Sequence, residues 1–239
     1  MTTTTTLADL AAGSQGAVRI LERHGLDYCC GGKQSFDQAC LAKGIRPESV
    51  MQEIEAARAG AGAARDWQTA PLAELAKHIL NTHHEYLKQE LPALSNRMDK
   101  VVSVHGARDP EVLPRMADVL AALRAELELH LRKEETILFP YIEQYGAADI
   151  ENRPLPHVPF GTIANPIAMM EREHVSAGDA LGEIRTLTRN FELPAYACNT
   201  VRALYEGLQA LEADLHVHIH LENNILFPRA IALERALPA

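Results

Sequence analysis

Two stretches of this 239-residue chain repeat each other, "HLRKEETILFP" from His130 and "HIHLENNILFP" from His218, at an offset of 88 residues. The residues leading into them repeat as well. One seam reads Met116, Leu120, Leu123, Leu127, His130, Glu134, Ile137, and the other Leu204, Leu208, Leu211, Leu215, His218, Glu222, Ile225. Steps alternating between four and three are the period of a helix that buries one stripe against its neighbours. Each stripe is interrupted by a His and a Glu one helical turn apart, on the face that should be buried. A third seam, Ile163, Ile167, Met170, His174, Ala177, Leu181, Ile184, carries one His. In the earliest helical pattern His83 and His84 are adjacent and point about 100° apart. The seam through His84 continues as Leu80, Leu87, Leu91 and Leu94, whereas that through His83 runs Ile79, Tyr86, Glu90, so His84 is the better candidate.

The chain therefore reads as two related helical hairpins. Four long helical patterns, at roughly 71–101, 110–144, 166–188 and 194–235, predict an all-α protein built on an antiparallel four-helix bundle. Pro92, inside the first pattern, should kink or end it. Ahead of the bundle, "AARAGAGAARD" (Ala56 to Asp66) has no large apolar residue and reads as a linker. The expected organisation is a small helical N-terminal domain over 1–57, a linker over 58–70 and the bundle over 71–239. The small domain shows helical patterns at Leu7–Leu21, Phe36–Leu41 and Val50–Ile54, with Pro47 suited to a first turn.

Four imidazoles and two carboxylates converging on one core are hard to reconcile with a purely structural role. Each uncompensated carboxylate costs several kcal/mol to bury, and neutral imidazoles bring lone pairs rather than countercharge. Metal ions supply the charge and use the lone pairs. The candidate ligands are His84, His130, Glu134, His174, His218 and Glu222. They outnumber the needs of one tetrahedral zinc and are not the oxygen cage of calcium or magnesium. Two glutamates bridging two metals, with a pair of His on each, make a symmetric dinuclear site, and imidazole with carboxylate suits iron best, ahead of zinc and manganese. The ferritin-like Glu-x-x-His order does not fit. His216 and His220 fall off the seam, at the surface or behind the ligands. His24, His105 and His157 have no identifiable partner, and Glu135 reads as a surface charge. Glu126 and Glu173 lie one turn from His130 and beside His174; each could orient a ligand or relay protons, and a solvated charge is the reading preferred to that.

Composition narrows the setting. The net charge is −9 and lysine and arginine form no block, which argues against nucleic-acid binding. No uncharged apolar run is long enough to span a membrane, and "MTTTTTLADL" lacks the features of a signal peptide, so a cytoplasmic protein is expected. Four cysteines in this length do not make a disulfide framework. Two of them, Cys29 and Cys30, are adjacent in "YCCGG". A disulfide between neighbours closes a strained ring that is readily reduced. Gly31 and Gly32 are expected to allow positive φ and the approach of a partner. Cys29 and Cys30 are thus candidate redox or iron-transfer thiols, whereas Cys40 and Cys198 follow helical patterns and read as core residues.

Taken together, His84, His130-LRK-Glu134, His174 and His218-IHL-Glu222 resemble the hemerythrin-like di-iron domain. "YCCGG" ahead of them resembles the short N-terminal domain of the RIC (repair of iron centres) family. The resemblance covers most of the chain. It implies two iron ions in an oxo-bridged di-iron centre, with the four His as terminal ligands and Glu134 and Glu222 as bridges. It also implies restoration of iron-sulfur clusters damaged under nitrosative or oxidative stress, nitric oxide binding or its reduction to nitrous oxide, and a homodimer. The partners would be nitric oxide and proteins with damaged clusters, or a cluster scaffold. Oxygen-carrying hemerythrins resemble an asymmetric site with a fifth His four residues after the ligand on the third helix; here that position is Gly178. Two other readings stand beside repair: a stoichiometric nitric oxide or oxygen binder without turnover, and a metal-free bundle with a hydrogen-bonded polar core.

Overall fold

The computed structural model describes residues 5–12, 15–59 and 65–236. Among them the secondary structure is helical, with one isolated antiparallel bridge, Thr6 to Ser35, and no strand. Part of the expected linker, residues 60–64, lies outside the described residues. Contacts divide the chain into two units, one of Lys77–Tyr141 and Ala164–Leu215, the other of Met1–Ala76, Ile142–Ile163 and His216–Ala239.

The first of these is the four-helix bundle. It is built from α6 (Glu85–His105), α7 (Val112–Lys133), α9 (Ala164–Leu187) and the first part of α10 (Asn199–Leu221). Its core is the seam residues of the repeat, among them Leu87, Leu91, Leu94, Leu120, Leu123, Leu181, Leu204, Leu208 and Leu211, all buried. Burying each such side chain contributes about 1.5–3 kcal/mol, which places the bundle's stability in this stripe. At its rim Arg115 grips Glu183 with two nitrogens (2.5 and 3.0 Å), tying α7 to α9. Pro92 does not end the first helix, because α6 runs through it from Glu85 to His105.

Three turns of the long helices are π-helical: Leu80–His84, which joins α5 (Leu72–Ile79) to α6; Glu134–Leu138, between α7 and α8 (Phe139–Glu151); and Glu222–Leu226, between α10 and α11 (Phe227–Ala236). In each the closing N–H reaches five residues back, as from Phe139 to the Glu134 carbonyl. Such a turn holds one residue more than an α-turn and shifts the register of the helix beyond it. That corrects two details of the expected seams. Ile137 is 45 % exposed and Leu138 takes its buried place at 1 %. In the first helix Ile79 is buried and Leu80 only partly, and His83 and His84 are both inside.

The second unit holds α1 (Leu7–Ala12), α2 (Gln15–Arg23), α3 (Phe36–Ala42) and α4 (Pro47–Ala59), together with the end of α10 and α11. Of the helix expected over Leu7–Leu21, α1 and the start of α2 are helical, and residues 13 and 14 lie outside the described residues. Leu10, Leu21, Leu26, Tyr28, Phe36, Cys40, Val50 and Ile54 make one core with Ile219 of α10. The chain at Thr5–Ala8 is stitched to the segment after the cysteines, with Leu7 N–H to Gln34 O and Phe36 N–H to Thr5 O.

Candidate metal centre

In the bundle unit the ligand candidates converge on one carboxylate. Glu134, at the head of its π-turn, is fully buried, and its Oε2 lies 3.3 Å from His130 Nε2 and 3.5 Å from His84 Nε2. His174 Nε2, from α9, comes within 3.1 Å of His130 Nε2. One ligand atom each from His130, Glu134 and His174 falls within 4.8 Å of the others, and so do those of His84 and Glu134. On the continuation of α10 in the other unit, His218 Nε2 lies 3.0 Å from Glu222 Oε1, and Glu222 heads its own π-turn. His218 is 1 % exposed and Glu222 is fully buried.

The imidazoles are oriented from behind. Glu135 Oε1 accepts from His84 Nδ1 at 2.9 Å, and Glu173 Oε2 accepts from His130 Nδ1 at 2.8 Å. Lys88 and Lys133 pair with the same two carboxylates. Burial alone would raise the Glu135 and Glu173 carboxyls, but hydrogen bonds from Lys88 and His84, and from Lys133 and His130, outweigh it and hold both low. Both therefore stay ionised and keep the imidazole proton on Nδ1. A proton on Nδ1 leaves a lone pair on Nε2, and that lone pair faces an oxygen of a buried carboxylate. Lone pair against lone pair at 3.3 to 3.5 Å is repulsive unless a proton or a metal cation lies between them. The donor set fits a metal ion, and the carboxylate–histidine pairing is the usual way to fix a metal-ligating imidazole.

The sequence reading of Glu135 and Glu173 as solvated charges is thus corrected. Each reaches its imidazole across a helix interface, at separations of 51 and 43 residues that no local pattern reveals. The available signal was a lysine two residues before Glu135, Lys133, whose partner is instead Glu173. Glu126 behaves as expected of a surface group, accepting from Ser176. His83, the rejected neighbour of His84, points to Asp214 through Nδ1 at 2.9 Å. His24 finds Glu53 at 3.2 Å.

The cysteine turn is attached to the π-turn that carries Glu222. Asn224 Nδ2 donates to the Tyr28 and Cys29 carbonyls at 3.1 and 3.2 Å and also meets His220 Nδ1, while the Tyr28 ring packs edge-on against His220. His220 is buried, and burial lowers its pKa to about 4, so it remains neutral. Gly31 and Gly32 are absent from the residues with positive φ. Their smallness serves packing instead. A Cβ on Gly32 would sit 2.6 Å from the Tyr28 carbonyl and 2.7 Å from Asn224 Oδ1, and one on Gly31 would sit 2.9 Å from the Asp27 carbonyl. The Asp27 carboxylate caps the turn, accepting from the N–H groups of Cys29, Cys30 and Gly31. Cys29 is buried and Cys30 exposed; no disulfide joins them, and their sulfurs lie 3.9 Å apart. The hydrogen bond with Cys30 first, then burial and the Asp27 charge, push the Cys29 thiol well above its ordinary pKa. Cys40 is in the core as expected, whereas Cys198 is exposed, contrary to expectation.

Comparison with known proteins agrees with this geometry. Residues 75–230 match the hemerythrin HHE cation binding domain, and residues 3–58 match the ScdA N-terminal domain, a domain of unknown function (DUF542). The iron-sulfur cluster repair protein YtfE of Cronobacter sakazakii is 39 % identical over 229 residues, covering 96 % of this chain and 97 % of that protein. That of Escherichia coli O8 is 39 % identical over 228 residues, with 95 % and 97 % covered. That of Pectobacterium carotovorum is 38 % identical over 226 residues, with 94 % and 96 % covered. The chain belongs to the repair-of-iron-centres family. The match to that family runs nearly from end to end, through both the cysteine turn and the candidate ligands. Among the described residues, no helix is long and apolar enough to cross a membrane.

Proposed function

We propose that the chain is a di-iron protein that repairs or protects iron-sulfur clusters under nitrosative or oxidative stress. His84, His130, His174 and His218 would hold a pair of irons, and Glu134 and Glu222 would supply the carboxylates of an oxo-bridged centre. The observation that carries this is the pair of imidazoles whose Nδ1 protons are pinned by Glu135 and Glu173 while their Nε2 atoms face buried Glu134. The relatives' names supply the biological end: they are iron-sulfur cluster repair proteins, alike over nearly the whole chain. When bound, such a centre supplies redox chemistry, affinity for small ligands such as nitric oxide, and ferrous iron at the weak end of the divalent affinity order, where it can be given up.

The protein's own residues set the conditions. Glu135 and Glu173 hold the imidazole protons, and Lys88 and Lys133 hold those carboxylates ionised. The near-complete burial of the ligands excludes water. Cys29 and Cys30 serve as redox or iron-transfer thiols toward a damaged cluster, and the bond from Asn224 to the Cys29 carbonyl, two residues beyond Glu222, supports that placement. The working state is a cytoplasmic homodimer that meets nitric oxide and proteins with damaged clusters or a cluster scaffold. A stoichiometric nitric oxide binder is the second reading. It is favoured by one feature, the raised pKa of the Cys29 thiol, which disfavours a thiolate in the absence of metal.

The deciding experiment is iron content per chain with the visible spectrum, on wild type and Glu222→Ala. A pair of irons with oxo-bridged charge-transfer bands that vanish in the variant supports the centre. Negligible metal in protein from iron-replete cells, or a spectrum indifferent to Glu222, overturns it. Catalytic nitrous oxide formation separates turnover from stoichiometric binding.

A further inference from the structure

A second cluster of reactive side chains lies in the bundle unit, far along the helices from the metal ligands. Its sulfur is Cys198, immediately before the first residue of α10 and exposed. His105, the last residue of α6, points Nε2 at that sulfur from 3.3 Å. His105 is 21 residues beyond His84 on the same run of helix, about 30 Å of rise. The imidazole is only 8 % exposed, and its Nδ1 is buried with no hydrogen-bond partner. The Tyr196 ring stacks on it at 5.1 Å, and the Tyr196 hydroxyl is anchored on Asp109.

This arrangement has a definite polarity. An imidazole N–H donated to sulfur leaves Nδ1 as a bare acceptor, a cheaper orphan in the interior than an undelivered N–H. The same sulfur takes hydrogen bonds from the backbone N–H groups of Val201 and Thr200, in the first turn of a long helix where orphan donors and the helix dipole favour negative charge. The His105 bond first, and then those N–H groups, bring the Cys198 thiol down to about 6. Cys29 and Cys40 are buried, and their thiols are shifted upward.

We propose that Cys198 is a site of reversible S-thiolation by low-molecular-weight disulfides, with His105 as the positioning residue that holds the sulfur ready to attack. In the step, the Cys198 sulfur uses a lone pair to form a new S–S bond. The disulfide's own S–S bond breaks, and the departing sulfur leaves with that bond's electron pair and takes a proton from water. The products are a mixed disulfide on Cys198 and one free small thiol, with no change in total oxidation state. A second small thiol reverses the exchange. The site would report the thiol–disulfide balance on the same chain that carries the metal centre, without using a metal ligand or the Cys29–Cys30 turn.

The test is the rate of mixed-disulfide formation at Cys198 with oxidised glutathione, followed by peptide mass mapping of the full-length, metal-loaded protein from pH 5 to 9. A peptide of residues 194–203 serves as the reference thiol. At pH 6 the thiolate fraction should exceed that of a free peptide thiol by about 150-fold, while lower intrinsic nucleophilicity takes back about 13-fold, leaving Cys198 roughly 10-fold faster than the peptide. His105→Gln with wild-type circular dichroism should lose most of that advantage, and Cys198→Ser should show no adduct on that peptide. A rate at pH 6 within about 2-fold of the peptide's, or an ordinary-thiol pH profile, overturns the proposal. A folded His105→Gln that keeps the wild-type profile overturns the role of His105. Should that variant not fold, the wild-type profile decides the thiolation site on its own.

Discussion

Replacing Glu173 by alanine isolates what the carboxylate behind a candidate metal ligand contributes, because Glu173 touches no candidate metal position itself. Its Oε2 lies 2.8 Å from His130 Nδ1, and its other oxygen pairs with Lys133. In Glu173→Ala the Nδ1–H of an imidazole that is 3 % exposed loses its acceptor, at a cost of about 1–3 kcal/mol, and the ring is free to turn or to take the other tautomer. Only the Nε2-lone-pair tautomer can ligate, so the loss falls mainly on metal affinity. Removing such supports typically costs about 10- to 100-fold, or ~1.4–2.7 kcal/mol. Glu126→Ala is the control. It bears on α9 through the Ser176 hydroxyl at an exposed position and should leave affinity unchanged. Glu173→Gln, whose amide oxygen can still accept from Nδ1, should recover part of the loss. The assay is competition of ferrous iron between protein and a chelator of known affinity, with thermal unfolding of the metal-free proteins run alongside. Affinity within about 3-fold of wild type in Glu173→Ala would refute the argument, and so would an equal loss in Glu126→Ala.

The same contacts support three further expectations. Glu234 accepts from Tyr145 and Thr162 hydroxyls and from the Ile163 N–H; burial alone would raise its carboxyl, but these hydrogen bonds hold it low. Its stabilising contribution is therefore present above the unfolded carboxyl pKa and lost as pH falls through the folded value. In urea unfolding, Glu234→Gln should cost about 1 kcal/mol at pH 7 and converge on wild type in acid, and a deficit that persists in acid would contradict this. Gly32→Ala should destabilise by about 1–3 kcal/mol, because its Cβ meets the Tyr28 carbonyl and Asn224 at 2.6 and 2.7 Å; an unchanged unfolding midpoint would show that the turn yields. Deleting exposed Ile137 from its π-turn should leave the helical circular dichroism intact yet weaken iron retention at least 10-fold, since the turn that presents Glu134 becomes an ordinary α-turn; full retention would refute the role of the turn.

What was legible in the sequence was whatever repeats at the helical period. The seams named the bundle core and all six ligand candidates, because a polar residue on an apolar stripe is visible without knowing what faces it. Lys133 and Glu173, or His84 and Glu135, are partners across helix interfaces, and nothing within one helix's own pattern distinguishes Glu173 from Glu126. The glycines after the cysteines misled for a related reason. Their need for smallness is set by contacts and not by their own backbone angles: Gly31 lies against the Asp27 carbonyl, and Gly32 against the Tyr28 carbonyl and Asn224, nearly 200 positions away. Cys198 followed an apolar pattern into a helix that in fact begins one residue later, so a supposed core thiol is a helix-end thiol facing His105.

The π-turns explain why a seam could be right up to the ligand and wrong just after it. Beyond Glu134 the buried residues are Leu138, Phe139, Ile142, Tyr145 and Ala148, whereas an uninterrupted α-helix would bury positions three, four, seven and ten after Glu134. Subtracting one residue from each of the first four gives those positions. The apolar pattern therefore already contains the extra residue, and the dislocation is written into the sequence rather than imposed by the fold. Its place is specific: Glu134 and Glu222 each open a π-turn, and His84 closes one. A wider turn gives up the regularity of the backbone ladder to change how a side chain is aimed, and in a purely structural bundle it would only weaken that ladder. That three such turns begin or end on a ligand candidate ties the irregularity to presenting donors, which favours the metal centre over a merely hydrogen-bonded polar core.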